Sequence, residues 1–395
     1  MHRFIAVERA LRSTTPDGLL QALEEGLKTQ YDATDVTLFM ADYAMTILQP
    51  VTSLPYTTEP IPVHSSAPGQ AFNWQQPHIE AGGKNSSVAV HLPVSVRGDR
   101  IGVLSLRLPS WQGGSDTAHE LTQIAEILGH EIIVSERDTD LYLQARRADR
   151  LTLAAEMQWQ LLPGRSCTRP EYEIGAQLEP AYAIYGDNFD WSTTSQDLTL
   201  TVTNGMGEGI EAALLTNLAI NALRNARRAG LSLTDQAYLA DQAIYGQHRG
   251  TQHLAVLLLR FDLATGATEI VDAGSPKMWR VRRGKVEQIE LEAQLPLGMF
   301  EDTVYTAEQF QTEPGDRLVF VSDGVYDVAS PAGERYSDRA LARALTSTRL
   351  LPASQVPRAV LQELTGHRGL IDPDDDAMVV CLDWRGRPDA RENAS

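Results

Sequence analysis

Four polar segments of this 395-residue chain, each at the end of an apolar strand-like run, could together supply oxygen ligands to a metal ion. They are 186–190 (Gly-Asp-Asn-Phe-Asp), 204–209 (Asn-Gly-Met-Gly-Glu-Gly), 322–325 (Ser-Asp-Gly-Val) and 374–376 (Asp-Asp-Asp). Oxygen ligands suit hard ions such as Mg²⁺ or Mn²⁺, and without a Cys or His cluster the pattern does not favour zinc. The glycines let the backbone approach a metal and a phosphate closely. The sequence therefore predicts a divalent-cation site built from loops.

Asn204 is the one residue of this set that departs from the expected chemistry. A carboxylate can bridge two cations with two oxygens and a negative charge, whereas an amide offers one oxygen and no charge. The sequence therefore predicts binding of one cation more readily than an efficient two-metal centre.

An alternative is that these aspartates only form turns. Asp-Gly and Asp-Asp pairs are common in turns, and for each segment alone this reading is the better one. The ordered set of segments favours the metal site.

The elements that position these segments predict an α+β domain. Apolar and alternating runs predict strands at 198–203, 254–261, 268–271, 278–281, 317–321 and 378–382. Helical runs are predicted at 212–228, 233–245, 338–348 and 357–364. Many strands with helices grouped between them suit a sandwich of sheets and helices. The helix after the glycine loop directs its N-terminus at the site, which suits an anion.

Six segments in order resemble the bacterial SpoIIE and RsbU-like branch of the PPM (PP2C-type) protein phosphatases. That branch carries Gly-Asp-x-x-Asp, Asp-x-x-Gly-x-Gly, Ala-Gly-His-x-Pro, a Leu-Gly segment, an Asp-Gly turn and a late Asp-Asp-x-Thr. The corresponding segments here are 186–190, 204–209, 273–276, 295–298, 322–325 and 375–378. The resemblance covers roughly residues 150 to 385 and implies a PP2C-like β-sandwich flanked by helices.

The resemblance also implies roles for individual residues. Asp187 would ligate one metal, and Asp323 and Asp375 would ligate the other. Asn204 would stand at the position that bridges both metals, and the backbone carbonyl of Gly205 would be a further ligand. The four side chains are also the candidate catalytic residues. Two Mn²⁺ or Mg²⁺ ions about 3.5–4 Å apart would neutralise the phosphoryl oxygens and supply a hydroxide for in-line attack.

Two further aspartates, Asp190 and Asp376, are second candidates beside these ligands.

The implied function is a metal-dependent serine/threonine protein phosphatase in bacterial sigma-factor or stress signalling. Its implied substrate is a phosphorylated regulatory protein such as a STAS-type anti-anti-sigma factor. Because of Asn204, a second hypothesis stays open, a pseudophosphatase that binds a signalling partner without turnover. A third is a ligand sensor whose C-terminal domain is structural.

Residues 1–135 resemble a GAF domain, an α/β sensor module. The pattern predicts a helix at 19–27, strands at 36–40, 88–94 and 101–107, and a closing helix at 118–134. Cys167 and Cys381 lie outside this domain, which excludes a cysteine-attached chromophore there. The ligand stays unknown, because a fold does not name one.

Residues 136–164 predict a coiled-coil-type linker helix between the sensor and a phosphatase-like domain at 165–385. Apolar residues recur there at steps of three and four: Leu141, Ala145, Ala148, Leu151, Ala155, Trp159 and Leu162. This apolar stripe predicts that two copies of the chain pair as a homodimer and that the helix transmits a signal between the two domains. The alternative is a helix that packs on its own domain. Residues 386–395 predict a frayed tail.

The composition limits partners and location. A net charge of −18 argues against nucleic acid or an anionic membrane surface as a partner. No apolar stretch reaches transmembrane length, and charged residues interrupt the N-terminal segment, so we expect a cytoplasmic protein.

Overall fold

The computed structural model describes residues 2–51, 59–80, 87–110, 114–182, 186–370, 373 and 375–387. The chain divides into two compact units, Met1–Arg150 and Leu151–Ser395. Each unit has its own sheets and core and is described separately.

The N-terminal unit contains five helices and six strands within its described residues. The helices are α1 (His2–Ser13), α2 (Leu19–Tyr31), α3 (Ala67–Trp74), α4 (Ser115–Ser135) and α5 (Leu141–Ala145). The strands are β1 (Thr34–Ala41), β2 (Ile47–Pro50), β3 (Ile61–Pro62), β4 (His78–Glu80), β5 (Ser87–Val96) and β6 (Asp99–Pro109). They form one antiparallel sheet in the order β3-β2-β1-β6-β5-β4.

Both faces of this sheet are covered, because alternate side chains of each strand point to opposite faces. Val90 and Leu92 of β5 pack in one core with residues of α1, α2 and α4 such as Leu128. On the opposite face, Phe39 of β1 packs with Phe72 of α3. The predicted first helix, strands and closing helix of this unit are present, and sequence patterns missed α1, α3, β2, β3 and β4.

The stretch predicted as a continuous linker helix, 136–164, is two short helices instead. Helix α5 ends at Ala145, and helix α6 (Leu153–Leu161) begins eight residues later. Tyr142 of α5 is fully buried in the N-terminal core, whereas Ala155 of α6 is fully buried in the C-terminal unit. The apolar spacing therefore reflects packing into two separate cores, and the boundary between the units falls at Arg150 rather than at 135 or 165.

The C-terminal unit starts with α6 and contains eleven strands within its described residues. These are β7 (Ser166–Thr168), β8 (Tyr172–Glu179), β9 (Asn188–Thr193), β10 (Asp197–Asn204), β11 (Ala255–Asp262), β12 (Ala267–Ala273), β13 (Lys277–Arg282), β14 (Lys285–Ile289), β15 (Glu308–Gln311), β16 (Arg317–Val321) and β17 (Ala377–Trp384). The further helices are α7 (Gly209–Arg228), α8 (Leu233–His248), α9 (Asp323–Tyr326), α10 (Leu341–Ser347) and α11 (Val356–Arg368). Across the described parts of both units, no helix is long and apolar enough to cross a membrane.

The strands of this unit form two antiparallel sheets with helices outside them. The sheet orders are β15-β12-β11-β10-β9 and β14-β13-β16-β17-β8-β7. Phe261 of β11 stacks on Trp384 of β17 with ring centroids 5.7 Å apart, so the two sheets face each other. On the outer faces, Val256 packs with α7 and α8, and Val379 packs with α10 and α11. The predicted α+β class and the β-sandwich flanked by helices are confirmed.

We predict that Tyr142→Ala lowers the free energy of unfolding by about 3–5 kcal/mol, because it empties a fully buried aromatic site. Tyr142→Phe should cost about 1 kcal/mol, because it removes only the hydrogen bond that the hydroxyl donates to the Pro16 carbonyl at 3.0 Å. Urea denaturation of the full chain measures both changes. The matched control is exposed Gln144→Ala, expected within about 0.5 kcal/mol of wild type. Equal stability of all three variants would show that α5 is a solvent-exposed linker.

Candidate metal centre

Two of the predicted ligands lie at the same end of the five-stranded sheet. Asp187 directly precedes β9, and Asn204 is the last residue of β10. The antiparallel register pairs Thr203 with Asn188, which places Asn204 opposite Asp187. The backbone N–H of Gly205 donates to Asp187 Oδ1 at 3.2 Å. The loop after β10 is therefore attached directly to the Asp187 carboxylate.

The other two predicted ligands lie at one end of the six-stranded sheet. Asp323 is the first residue of α9, two positions after β16, and Asp375 lies two positions before β17. The register pairs Val321 with Val379, so the loops that carry these aspartates leave adjacent strands at the same edge.

Asp376 joins these two groups of loops across the sandwich. Its carboxylate is fully buried, and Oδ2 accepts hydrogen bonds from the backbone N–H groups of Gly186 at 2.8 Å and Asp187 at 3.2 Å. The backbone N–H of Asp376 itself donates to Asp375 Oδ1 at 2.8 Å. All the predicted ligand segments therefore meet at one end of the unit.

Two glycines are required by the closeness of these loops. A Cβ atom on Gly205 would lie 2.4 Å from the carbonyl carbon of Gly186. A Cβ atom on Gly324 would lie 1.9 Å from the carbonyl oxygen of Asp376. Both distances are far below van der Waals contact, so any side chain at either position would separate the loops.

The electrostatic environment of Asp187 shows how concentrated the negative charge is. Burial raises the pKa of Asp187 well above its ordinary value, and the charge of Asp376 raises it further. A hydrogen bond from Ser322 lowers the pKa of Asp187, while the charges of Asp375 and Asp323 raise it. Such repulsion is relieved when the group gains a proton or when a cation binds beside it.

The oxygen atoms that remain are of the type that a hard divalent cation prefers. Asp187 Oδ2 and Asn204 Oδ1 are buried and have no hydrogen-bond partner among the described residues. The residues fit Mg²⁺ or Mn²⁺, since each available donor is an oxygen. Within the described ranges, no three His, Cys, Asp or Glu side chains converge as a ready metal site.

Asp190, a second candidate from sequence, is occupied elsewhere. Its carboxylate is buried and forms ion pairs with Arg224 Nη2 at 2.8 Å and Arg227 Nη1 at 3.0 Å. Both arginines belong to α7, so Asp190 anchors this helix to β9 instead of facing a cation. Asp376, the other second candidate, does lie in the site. Its carboxylate accepts hydrogen bonds from the backbone N–H groups of Gly186 and Asp187 and so holds this loop in place.

Sequence reasoning assigned no role to two residues that hold the loops in place. Ser322 Oγ accepts the N–H of Met378 at 3.0 Å and thereby connects β16 to β17. Thr216 of α7 donates its hydroxyl hydrogen to the Gly186 carbonyl at 2.7 Å. Ser322 is adjacent to the Asp-Gly turn and could have been suspected. Thr216 lies thirty positions from its partner and carries no local signal. The predicted segment 374–376 includes Asp374, which lies outside the described residues.

Comparison with a family model gives a match for residues 194–385, which cover most of the C-terminal unit. The model describes Stage II sporulation protein E (SpoIIE). The C-terminal unit therefore matches the SpoIIE family model over most of its length, in agreement with the resemblance in sequence.

Two relatives and one solved structure are similar to this chain. Protein IcfG of Synechocystis sp. is 21% identical over 254 residues, which cover 57% of this chain and 40% of the relative. Phosphoserine phosphatase RsbU of Bacillus subtilis is 21% identical over 220 residues, which cover 55% of this chain and 66% of the relative. The SiaA-PP2C domain of Pseudomonas aeruginosa has a TM-score of 0.49 and 19% identity, covering 59% of this chain and 94% of that one. The chain thus spans less than two thirds of the length of each of these two relatives.

We predict that Asp190→Ala lowers the free energy of unfolding by about 3–5 kcal/mol, because it leaves two largely buried arginines without their counter-charge. The affinity of the folded variant for Mn²⁺ should stay at the wild-type value. Urea denaturation and calorimetric Mn²⁺ titration measure the two properties.

The matched control is Asp197→Ala, which removes a half-buried carboxylate on the neighbouring strand β10 and should change both properties little. If Asp190→Ala kept its stability but lost Mn²⁺ binding, Asp190 would be a metal ligand after all.

Proposed function

We propose that this SpoIIE-family domain hydrolyses phosphoserine or phosphothreonine on a regulatory protein, with Mn²⁺ or Mg²⁺ as cofactor. The observation that carries the proposal is the fully buried Asp187, which lies within the influence of three further carboxylates. So much like charge around a buried carboxylate is unfavourable unless a cation or a proton compensates it. A phosphate monoester is a substrate that such a cation would bind.

The cation would be held by Asp187, Asp323 and Asp375, with Asn204 Oδ1 and the carbonyl of Gly205 as further oxygen donors. When bound, it supplies positive charge to phosphoryl oxygens and lowers the pKa of water. The protein itself fixes the positions of these donors. Asp376 holds the backbone of Gly186 and Asp187, and the N–H of Gly205 holds Asp187 Oδ1.

Asn204 supports a second candidate function, a pseudophosphatase that binds its partner without turnover. The amide oxygen of Asn204 is buried beside the site without a hydrogen-bond partner among the described residues, so it suits a cation. It brings no negative charge, however, and a second cation at the same place would be poorly compensated. Asn204 therefore favours low activity or none, and the two candidates differ only in turnover.

The proposed substrate is a phosphorylated STAS-type anti-anti-sigma protein, in bacterial sigma-factor or stress signalling. Support comes from the similarity to RsbU of Bacillus subtilis, whose description is a phosphoserine phosphatase. That similarity covers 55% of this chain, so it bears on the C-terminal unit rather than on the whole protein.

The N-terminal unit is proposed to be a GAF-like sensor that regulates the phosphatase domain. Its six-stranded antiparallel sheet, covered by helices on both faces, supports a small-molecule sensing module. The proposal includes a cytoplasmic homodimer with contacts in the stretch 136–164. Leu153 at the start of α6 is 60% exposed, which supports such a contact.

The test is hydrolysis of p-nitrophenyl phosphate and of a phosphoserine STAS protein by the full chain with Mn²⁺. We expect slow turnover by wild type, and a loss of at least about 100-fold in kcat/KM for Asp323→Ala, equivalent to about 2.7 kcal/mol. Asn204→Asp should raise kcat/KM by about tenfold or more, because it restores the bridging charge.

The comparison separates the two candidates. An inactive wild type beside an active Asn204→Asp variant would establish the pseudophosphatase. Inactivity of both variants, with the fold intact by circular dichroism, would contradict the phosphatase assignment.

A further inference from the structure

Lys277 places a cation next to the helix that begins with Asp323. It is the first residue of β13 and pairs with Val321, the last residue of β16. Its Nζ atom lies 4.1 Å from the centroid of the Tyr326 ring, and Tyr326 is the last residue of the four-residue helix α9. A cation at this distance from an aromatic face is attracted to it.

The Tyr326 ring connects this lysine to the candidate metal centre. Tyr326 is 7% exposed, and its hydroxyl lies 3.2 Å from Ser275 Oγ. Burial raises the pKa of Tyr326, and the charges of Asp323 and Asp187 raise it as well. The Tyr326 ring is therefore close enough to Asp323 and Asp187 for their charges to affect it. Lys277 Nζ lies 4.1 Å from the centroid of the same ring.

The two arginines near β9 already have a carboxylate as their partner. Arg224 and Arg227 both form ion pairs with Asp190. Lys277 has a different environment, because its contact is with a neutral ring rather than with a carboxylate. Its ammonium group keeps its hydrogen-bond donors available for an anion.

We propose that Lys277 binds a phosphoryl oxygen of the phosphate-monoester substrate at the Asp323 side of the site. The proposal rests on the proposed phosphatase function and adds a residue to it. A phosphate-monoester dianion needs positive charge on several oxygens, and Asn204 weakens the site for a second cation. Lys277 supplies a positive charge on a flexible four-carbon stem, so its ammonium group can reach toward the bound anion from its position over the Tyr326 ring.

The variants that test this are Lys277→Met, which keeps the stem and removes the charge, and Lys277→Arg, which keeps the charge. The matched control is Lys285→Met, which removes the same charge from an exposed position of the edge strand β14, where Lys285 contacts Glu287 at 2.6 Å. The probe is inorganic phosphate, used as an inhibitor of p-nitrophenyl phosphate hydrolysis with Mn²⁺ and followed directly by ³¹P NMR titration with Mg²⁺, because paramagnetic Mn²⁺ would broaden the phosphate signal.

We expect Lys277→Met to weaken phosphate binding and to raise KM, each by about tenfold, because it removes one charge-assisted contact. Lys277→Arg should restore binding to within about threefold of wild type. The Mn²⁺ concentration for half-maximal binding and the melting temperature should be unchanged in all variants. Lys285→Met should behave as wild type in every measurement.

Unchanged phosphate binding in Lys277→Met would overturn the proposal. A fall in melting temperature or in Mn²⁺ affinity that accounts for the weaker phosphate binding would also overturn it, because Lys277 would then be structural. If wild type shows no turnover, the NMR titration still decides the role of Lys277. Weaker phosphate binding would then support Lys277 while the proposed hydrolytic function fails.

Discussion

The burial of the Asp187 carboxylate is the constraint on which the C-terminal site depends. Asp187 is 2% exposed and lies beside the equally buried Asp376, whose Oδ2 accepts two backbone N–H groups from the opposite sheet. These contacts exist only because Gly205 and Gly324 allow backbones to approach more closely than any side chain would permit. The sandwich thus brings negative charge together at one end, where either a proton or a bound cation would stabilise the arrangement.

Local patterns predicted six of the eleven strands described in the C-terminal unit, β10 to β13, β16 and β17, and missed β7, β8, β9, β14 and β15. The predicted strand 317–321 coincides with β16, and the predicted strand 198–203 lies within β10. The turns that carry Asp187, Asn204 and Asp323 were identified by their glycines. Sequence alone did not separate Asp190 from Asp376, because that distinction depends on Arg224 and other residues far away in the chain. Pairing across thirty or more positions leaves no periodic signal.

The linker shows where helical periodicity misleads. Apolar residues at steps of three and four indicate only that one face of a helix is covered, and they do not reveal what covers it. Here Tyr142 of α5 is buried in the N-terminal unit, and Ala155 of α6 is buried in the C-terminal unit. One apolar repeat in the sequence therefore runs through two helices that are separated by a break. The polar residues Asp138 and Asp149 flank α5 on either side, and the apolar spacing alone does not reveal these limits.

The account holds that four loops create a cation site and that Asn204 limits its capacity. The most direct test is a calorimetric titration of the full chain with Mn²⁺ at neutral pH, comparing wild type with Asp323→Ala. The account predicts saturable binding of about one Mn²⁺ ion per chain in wild type and loss of that binding in the variant. Absence of saturable binding in wild type, or equal binding by both proteins, would contradict it.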